Sequence, residues 1–180
     1  MTQNKEAFEP RHDEDSVCEC KLYWPTIPLL PKLLGSETQK RFAIEIDGQL
    51  IDFGGRTSTY VKWVWLDGTE CSIRGYIDDL DWMMMRSGSP VYMRKSTRWF
   101  TKDENELVLH VMTNISFRGT RIVYKSAEND LICTLNYGTE WKNGWVGKPM
   151  LFEVPRRYMS LLDLICGDLM ARILLPSSLF

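Results

Sequence analysis

The sequence predicts an α+β fold: a mostly antiparallel β-sheet of about seven strands, with a short internal helix and a C-terminal helix packed on the sheet. Three observations carry this reading. Short runs rich in β-branched and aromatic residues recur between residues 41 and 154. Asp-Gly pairs at 47–48 and 67–68 sit between such runs, and Asp-Gly suits a two-residue hairpin turn because both central positions need positive φ. Beyond Pro155 the apolar spacing changes to 3–4, the period of an amphipathic helix.

Residues 1–34 read as an arm and residues 35–180 as one globular domain. Residues 1–20 carry two cations, Lys5 and Arg11, against six carboxylates, and show no apolar period. Such a stretch is expected to be disordered. Cys18 and Cys20 with His12 nearby have no second pair at zinc spacing, so no metal is expected there. Pro25, Pro28 and Pro31 follow Trp24 at the three-residue period of a polyproline II helix. They predict a self-association arm, laid in a groove of its own domain or of a neighbouring copy.

The first hairpin is Arg41–Ile46 and Gln49–Phe53 about Asp47-Gly48. The second runs from Thr59 to Tyr76 about Asp67-Gly68. A two-residue turn there would place Leu66 opposite Thr69 and Trp63 opposite Ser72. Tyr60, Val64, Leu66, Cys71 and Ile73 would then face the core, leaving Trp63 and Trp65 on a mixed aromatic and charged face. Ile77–Arg86 has helical character, with Asp78 and Asp79 in its first turn and a Ser-Gly-Ser-Pro stop after it. Strands are expected at 106–112, 119–125, 130–136 and 148–154. The last helix covers 156–175, with Tyr158, Leu162, Ile165, Leu169 and Ile173 on one side and Arg157, Asp168 and Arg172 on the other.

The composition narrows the function classes. Net charge is −2, but residues 86–125 hold eight cations against three carboxylates. An acidic tail and a basic segment on one chain suggest self-association or a polyanionic partner. Five cysteines, with no leader-like apolar run at the start, point to a reducing compartment without disulfides and to a protein that is not secreted. Asp163, Asp168 and Arg172 interrupt the only long apolar run, so no transmembrane helix is expected. No phosphate loop, dinucleotide fingerprint, zinc-protease motif or nucleophile elbow is present. Gly54-Gly55-Arg56-Thr57-Ser58 lacks the lysine and helix of a phosphate cradle. Asp78, Asp79 and Asp81 are explained by a helix start, and His110 by a sheet face. The expectation is a protein that is not an enzyme and has no cofactor or metal.

The strongest functional signal is Arg94-Lys-Ser-Thr-Arg-Trp-Phe100, three cations beside two aromatics. With Arg118 and Arg121 these residues form a predicted contact for an anionic membrane or another polyanion: Arg94, Lys95 and Arg98 for charge, Trp99 and Phe100 for interfacial depth.

Gly147-Lys-Pro-Met-Leu-Phe-Glu-Val-Pro-Arg-Arg-Tyr158 resembles a G-K-x-P-M-L-x-V-P-x-x-F run of rhabdovirus matrix proteins, and the size and plan are similar to the small, cytorhabdovirus-like matrix proteins of plant-infecting members. The resemblance covers about twelve residues. It implies a non-enzymatic structural protein of the virion and host cytoplasm. Such a protein forms homo-oligomers, contacts the nucleocapsid and other viral proteins, and lines the inner membrane face during assembly. The alternative is a host-directed nucleic-acid-binding module, such as a suppressor of RNA silencing.

Overall fold

The computed structural model describes residues 16–23, 42–53, 60–75, 81–117, 119–137 and 149–174. The predicted arm residues Trp24, Pro25, Pro28 and Pro31, the Gly54–Ser58 segment, Asp78, Asp79 and Arg118 lie outside them. Among the described residues, twelve strands form two antiparallel sheets. They are β1 (Val17–Tyr23), β2 (Phe42–Ile46), β3 (Gln49–Phe53), β4 (Tyr60–Val64), β5 (Glu70–Gly75), β6 (Trp82–Arg86), β7 (Ser89–Lys95), β8 (Arg98–Thr101), β9 (Leu107–Ser116), β10 (Gly119–Ser126), β11 (Leu131–Tyr137) and β12 (Met150–Pro155). A 3-10 segment, Arg156–Leu161, leads into the helix α1, Leu162–Leu174.

The smaller sheet has the order β12-β1-β2-β3 and the larger runs β11 to β4 in sequence order. β3 packs beside β4, and β11 beside β12. The two sheets therefore meet at both seams and enclose α1. Every residue of α1 except Ile173 is buried. Its contacts reach round the wall: Gly167 lies against Trp63 of β4 and Ile73 of β5, Asp163 pairs with Arg86 of β6, and Asp168 bonds Trp99 of β8 and Tyr124 of β10. The antiparallel, mostly β character and the C-terminal helix agree with the sequence, but the strand number is larger. The helix has no solvent side, so it fills the interior instead of lying on a sheet. Its sequence still explains this, because Leu, Ile, Met, Ala and Gly occupy most of its circumference.

The Asp47-Gly48 hairpin forms as expected. Ile46 pairs with Gln49, and Asp47 and Gly48 have φ of 47° and 84°. The Asp67-Gly68 hairpin has a different register. Trp63 pairs with Cys71 and Val64 with Glu70. The Trp65 amide donates to the Thr69 carbonyl, and Gly68 donates back to Trp65. Only Gly68 of the loop takes positive φ, 85°, so three residues turn the chain with glycine in the left-handed position. The extra loop residue shifts the pairing by one, and a shift by one changes which residues share a face. Val61, Trp63, Cys71 and Ile73 are the buried set, while Val64 and Leu66 are exposed. Trp63 is core.

The internal helix is not formed across 82–86, which is strand β6. Trp82 and Met84 point inward, while Met83 and Met85 are half-buried. Ser87 and Gly88, with φ of 49° and 78°, form the turn between Arg86 and Ser89, so the expected helix stop is a hairpin turn. The arm boundary also moves. Residues 17–23 are β1, paired with β12 on one side and β2 on the other, with Cys18, Cys20 and Leu22 fully buried. Alternation of small apolar residues with charges in Val-Cys-Glu-Cys-Lys-Leu-Tyr is a strand pattern hidden by the acidic residues before it.

Candidate polyanion interface

Arg94 through Phe100 is the β7–β8 hairpin, in which Lys95 pairs with Arg98 and Arg94 with Trp99. Alternation along each strand splits the predicted site. Arg94 and Trp99 face inward and are 3% and 0% exposed, so neither can meet a membrane or nucleic acid. Lys95 and Arg98 face solvent, and Phe100 is half-buried under Lys95, whose ammonium lies 5.8 Å from the ring centroid.

The inward pair belongs to a cluster at α1. Asp168 accepts the Trp99 indole N–H at 2.9 Å, the Tyr124 hydroxyl at 2.7 Å and the Arg172 guanidinium at 2.7 and 3.2 Å. Four donors satisfy both oxygens of a carboxylate that has no exposure. The Arg94 guanidinium stacks 3.5 Å from the Trp82 ring centroid, and Arg172 lies 5.4 Å from the same ring. Burial, followed by the nearby Arg172 charge, pulls the Arg94 pKa down to about 10, still charged at neutral pH. At the other end of α1, Asp163 accepts Arg86 Nε at 2.8 Å. These groups secure helix to wall.

The outward pair belongs to a different constellation. Lys95 faces Arg98, Arg98 faces His110 on β9, and His110 faces Lys125 on β10. Residues directly opposite share a face, so these four form one row across four strands. Arg121, exposed and opposite Asn114 and Asn136, lies four residues from Lys125 on the same face of β10. No strand from β7 to β11 contains an aspartate or glutamate. Among the described residues, none of Lys95, Arg98, Lys125 and Arg121 takes part in an ion pair. His110 and Lys125 were the members that sequence reasoning left out. The 86–125 charge excess included Lys125, but only strand register joins positions 95, 98, 110 and 125 into a row.

On the seam side, an open groove of about 500 Å³ is lined by Asp52 of β3, Lys62 and Val64 of β4, and Glu70, Ser72 and Arg74 of β5. Its two carboxylates and two cations balance, so it favours no ligand charge. Among the described residues no three His, Cys, Asp or Glu side chains converge as metal ligands, and no helix is long and apolar enough to cross a membrane.

No protein-family model and no curated protein sequence matches the chain. A protein from Arabidopsis thaliana of known X-ray structure is similar in fold, with a TM-score of 0.50 and 14% identity over 90% of this chain and 96% of that one. At that identity the likeness concerns the fold alone.

Proposed function

We propose that this protein is a non-enzymatic, matrix-like lining protein whose basic β7–β10 face lies on an anionic membrane surface, while copies of the chain assemble with one another and with a nucleocapsid. The observation that carries the reading is the in-register row Lys95, Arg98, His110 and Lys125 on strands that hold no carboxylate. A cation near an anionic bilayer is worth roughly 1 kcal/mol. Lys95, Arg98, Arg121 and Lys125 together supply about 4 kcal/mol, on the order of a thousandfold in partitioning at low salt. Met112 and Phe117, both exposed on β9 and the turn after it, add apolar contact beside the charges. The likeness of Gly147–Tyr158 to rhabdovirus matrix proteins supports the same role and its setting in the virion and host cytoplasm.

The test is co-sedimentation with phosphatidylserine-containing vesicles, set beside gel shifts with duplex RNA. The wild type is expected to bind the charged vesicles, to release them at high salt, and to ignore pure phosphatidylcholine. Lys95→Glu, Arg98→Glu and Lys125→Glu combined are expected to abolish this binding. Retained vesicle binding by that variant together with lost RNA binding would replace the lining role with the nucleic-acid module.

A further inference from the structure

We infer that the outer face of the small sheet, β12-β1-β2-β3, is a docking surface for the basic β7–β10 face of a second copy of this chain. The inference extends the proposed assembly role and rests on it for the basic face.

The outward residues of the small sheet follow from its register. Glu19 of β1 stands directly opposite Glu153 of β12, and Lys21 stands opposite both Leu151 and Glu45. Glu45 in turn faces Leu50 of β3, and Asp52 occupies the next outward position of that strand. Glu19, Glu45, Asp52 and Glu153 against Lys21 give −3 for the strand residues of this face. Asp47 at its edge is paired with Arg156 at 2.8 Å and adds nothing. Like charges opposite one another weaken a strand pair. Lys21 lies 3.9 Å from Glu19, and among the described residues Glu153 takes part in no ion pair. Among these acids Leu50 and Leu151 are 59% and 62% exposed. A sheet face that holds opposed glutamates and exposed leucines is complementary to a cationic, partly apolar partner.

The same chain provides that partner surface. The β7–β10 face carries Lys95, Arg98, Arg121 and Lys125, or +4 with no strand carboxylate, and it includes the exposed Met112. The two faces are distinct parts of the wall, separated by β11 on one side and by β4–β6 on the other. Around the order of the twelve described strands, the middle of β7–β10 stands five places from the middle of β12-β1-β2-β3. The faces are different surfaces of one molecule, and two copies meeting through them leave one acidic and one basic face free. The contact is therefore heterologous and propagates into rows instead of closing as a two-fold dimer. Four strands at about 4.8 Å and five residues at about 3.4 Å give a footprint of roughly 19 by 17 Å, about 320 Å² a side and below the size of a standard protein interface. Each contact is weak, salt-sensitive and reversible. A copy held on a membrane by its basic face still presents the acidic one, so a bound layer can receive a second.

The test uses the full chain in sedimentation velocity at low and high salt, without vesicles. The wild type is expected to show concentration-dependent association that high salt removes. Glu19→Lys with Glu153→Lys is expected to weaken association roughly tenfold or more while leaving vesicle binding intact. Lys95→Glu with Arg98→Glu is expected to weaken both. Mixing the two variants leaves one native acidic face and one native basic face, so the mixture should stop at a one-to-one pair. Glu19→Gln with Glu153→Gln gives a milder version should the reversal disturb the strand pair. A wild type that stays monomeric at low salt, acidic-face variants that associate as well as wild type, or a mixture that fails to pair would each overturn the inference. Lost vesicle binding with association retained would instead remove the membrane role alone.

Discussion

Tyr124 donates its hydroxyl to Asp168 across 2.7 Å, tying the β10 wall to the helix that fills the barrel. The same carboxylate holds Trp99 of β8 and Arg172 one helical turn away. One side chain thus ties three elements, and its removal leaves three buried donors. Asp168→Ala is expected to cost about 3–5 kcal/mol, because it strands the Arg172 charge away from water. Tyr124→Phe removes one bond to a charged acceptor and should cost about 1.5–3 kcal/mol. Urea unfolding of the two single variants and the double variant measures the coupling. Additive losses would mean that the hydroxyl and carboxylate do not act together.

Gly167 is the point where α1 comes closest to the wall. A Cβ there would meet the six-membered ring of Trp63 and stand 3.0 Å from Ile73 Cδ1. Gly167→Ala is therefore expected to destabilise by about 1–3 kcal/mol, despite alanine's better helix propensity. Trp63→Ala, which opens a cavity in the same place, should cost about 3–5 kcal/mol. The informative variant combines Gly167→Ala with Trp63→Phe. It should be more stable than the sum of the two single losses predicts, and thermal melts decide this.

The thiols give a pH dependence with a definite sign. Burial pushes Cys71 and Cys133 up to about 12 from an ordinary value of 9.0, and raises Cys20 and Cys166 as well. Above pH 9.0 the unfolded chain releases these protons while the folded chain keeps them. Stability is thus fully present below that value and falls as pH rises toward about 12. Each thiol that ionises only in the unfolded chain contributes a slope of about 1.4 kcal/mol per pH unit. Urea midpoints should fall steadily above pH 9.0. In the native state at neutral pH, a thiol reagent should label the five buried cysteines only at the rate of unfolding.

The cations of 94–98 should separate into two kinds. Arg94→Glu places an unpaired carboxylate beside Trp82 and near Asp168, and should prevent folding or lower the melting temperature sharply. Lys95→Glu and Arg98→Glu change exposed positions on one sheet face and should shift stability by less than about 0.5 kcal/mol each. Equal melting losses at positions 94 and 95 would contradict the inward and outward assignment.

The sequence by itself determined the antiparallel β class, the Asp47-Gly48 hairpin, the strands of 106–136 and the presence of a C-terminal helix, but not its start, since residues 156–161 are 3-10 and the α-helix begins at Leu162. In each case a local pattern is enough: an Asp-Gly turn, alternation over several residues, or proline before a run at helical spacing. Register in the second hairpin was not determined, because Asp67-Gly68 suits both a two-residue turn and a three-residue loop, and the choice moves every pair by one. The Met-rich stretch before Ser87 reads as a helix from its Asp-rich start and its Ser-Gly-Ser-Pro stop, and only the positive φ at Ser87 and Gly88 makes it half of a hairpin. Tertiary structure alone decided what the charges do. Arg94 and Lys95 are neighbours in sequence, yet one stacks on Trp82 in the interior and the other begins an outward-facing row ending at Lys125. Asp168 and Arg172 look like a solvated helical pair and prove to be the polar centre of the barrel. A charged residue carries no mark of its destination. Burial depends on what encloses it, and here twelve strands close around a helix whose own sequence specifies only that most of its surface is apolar.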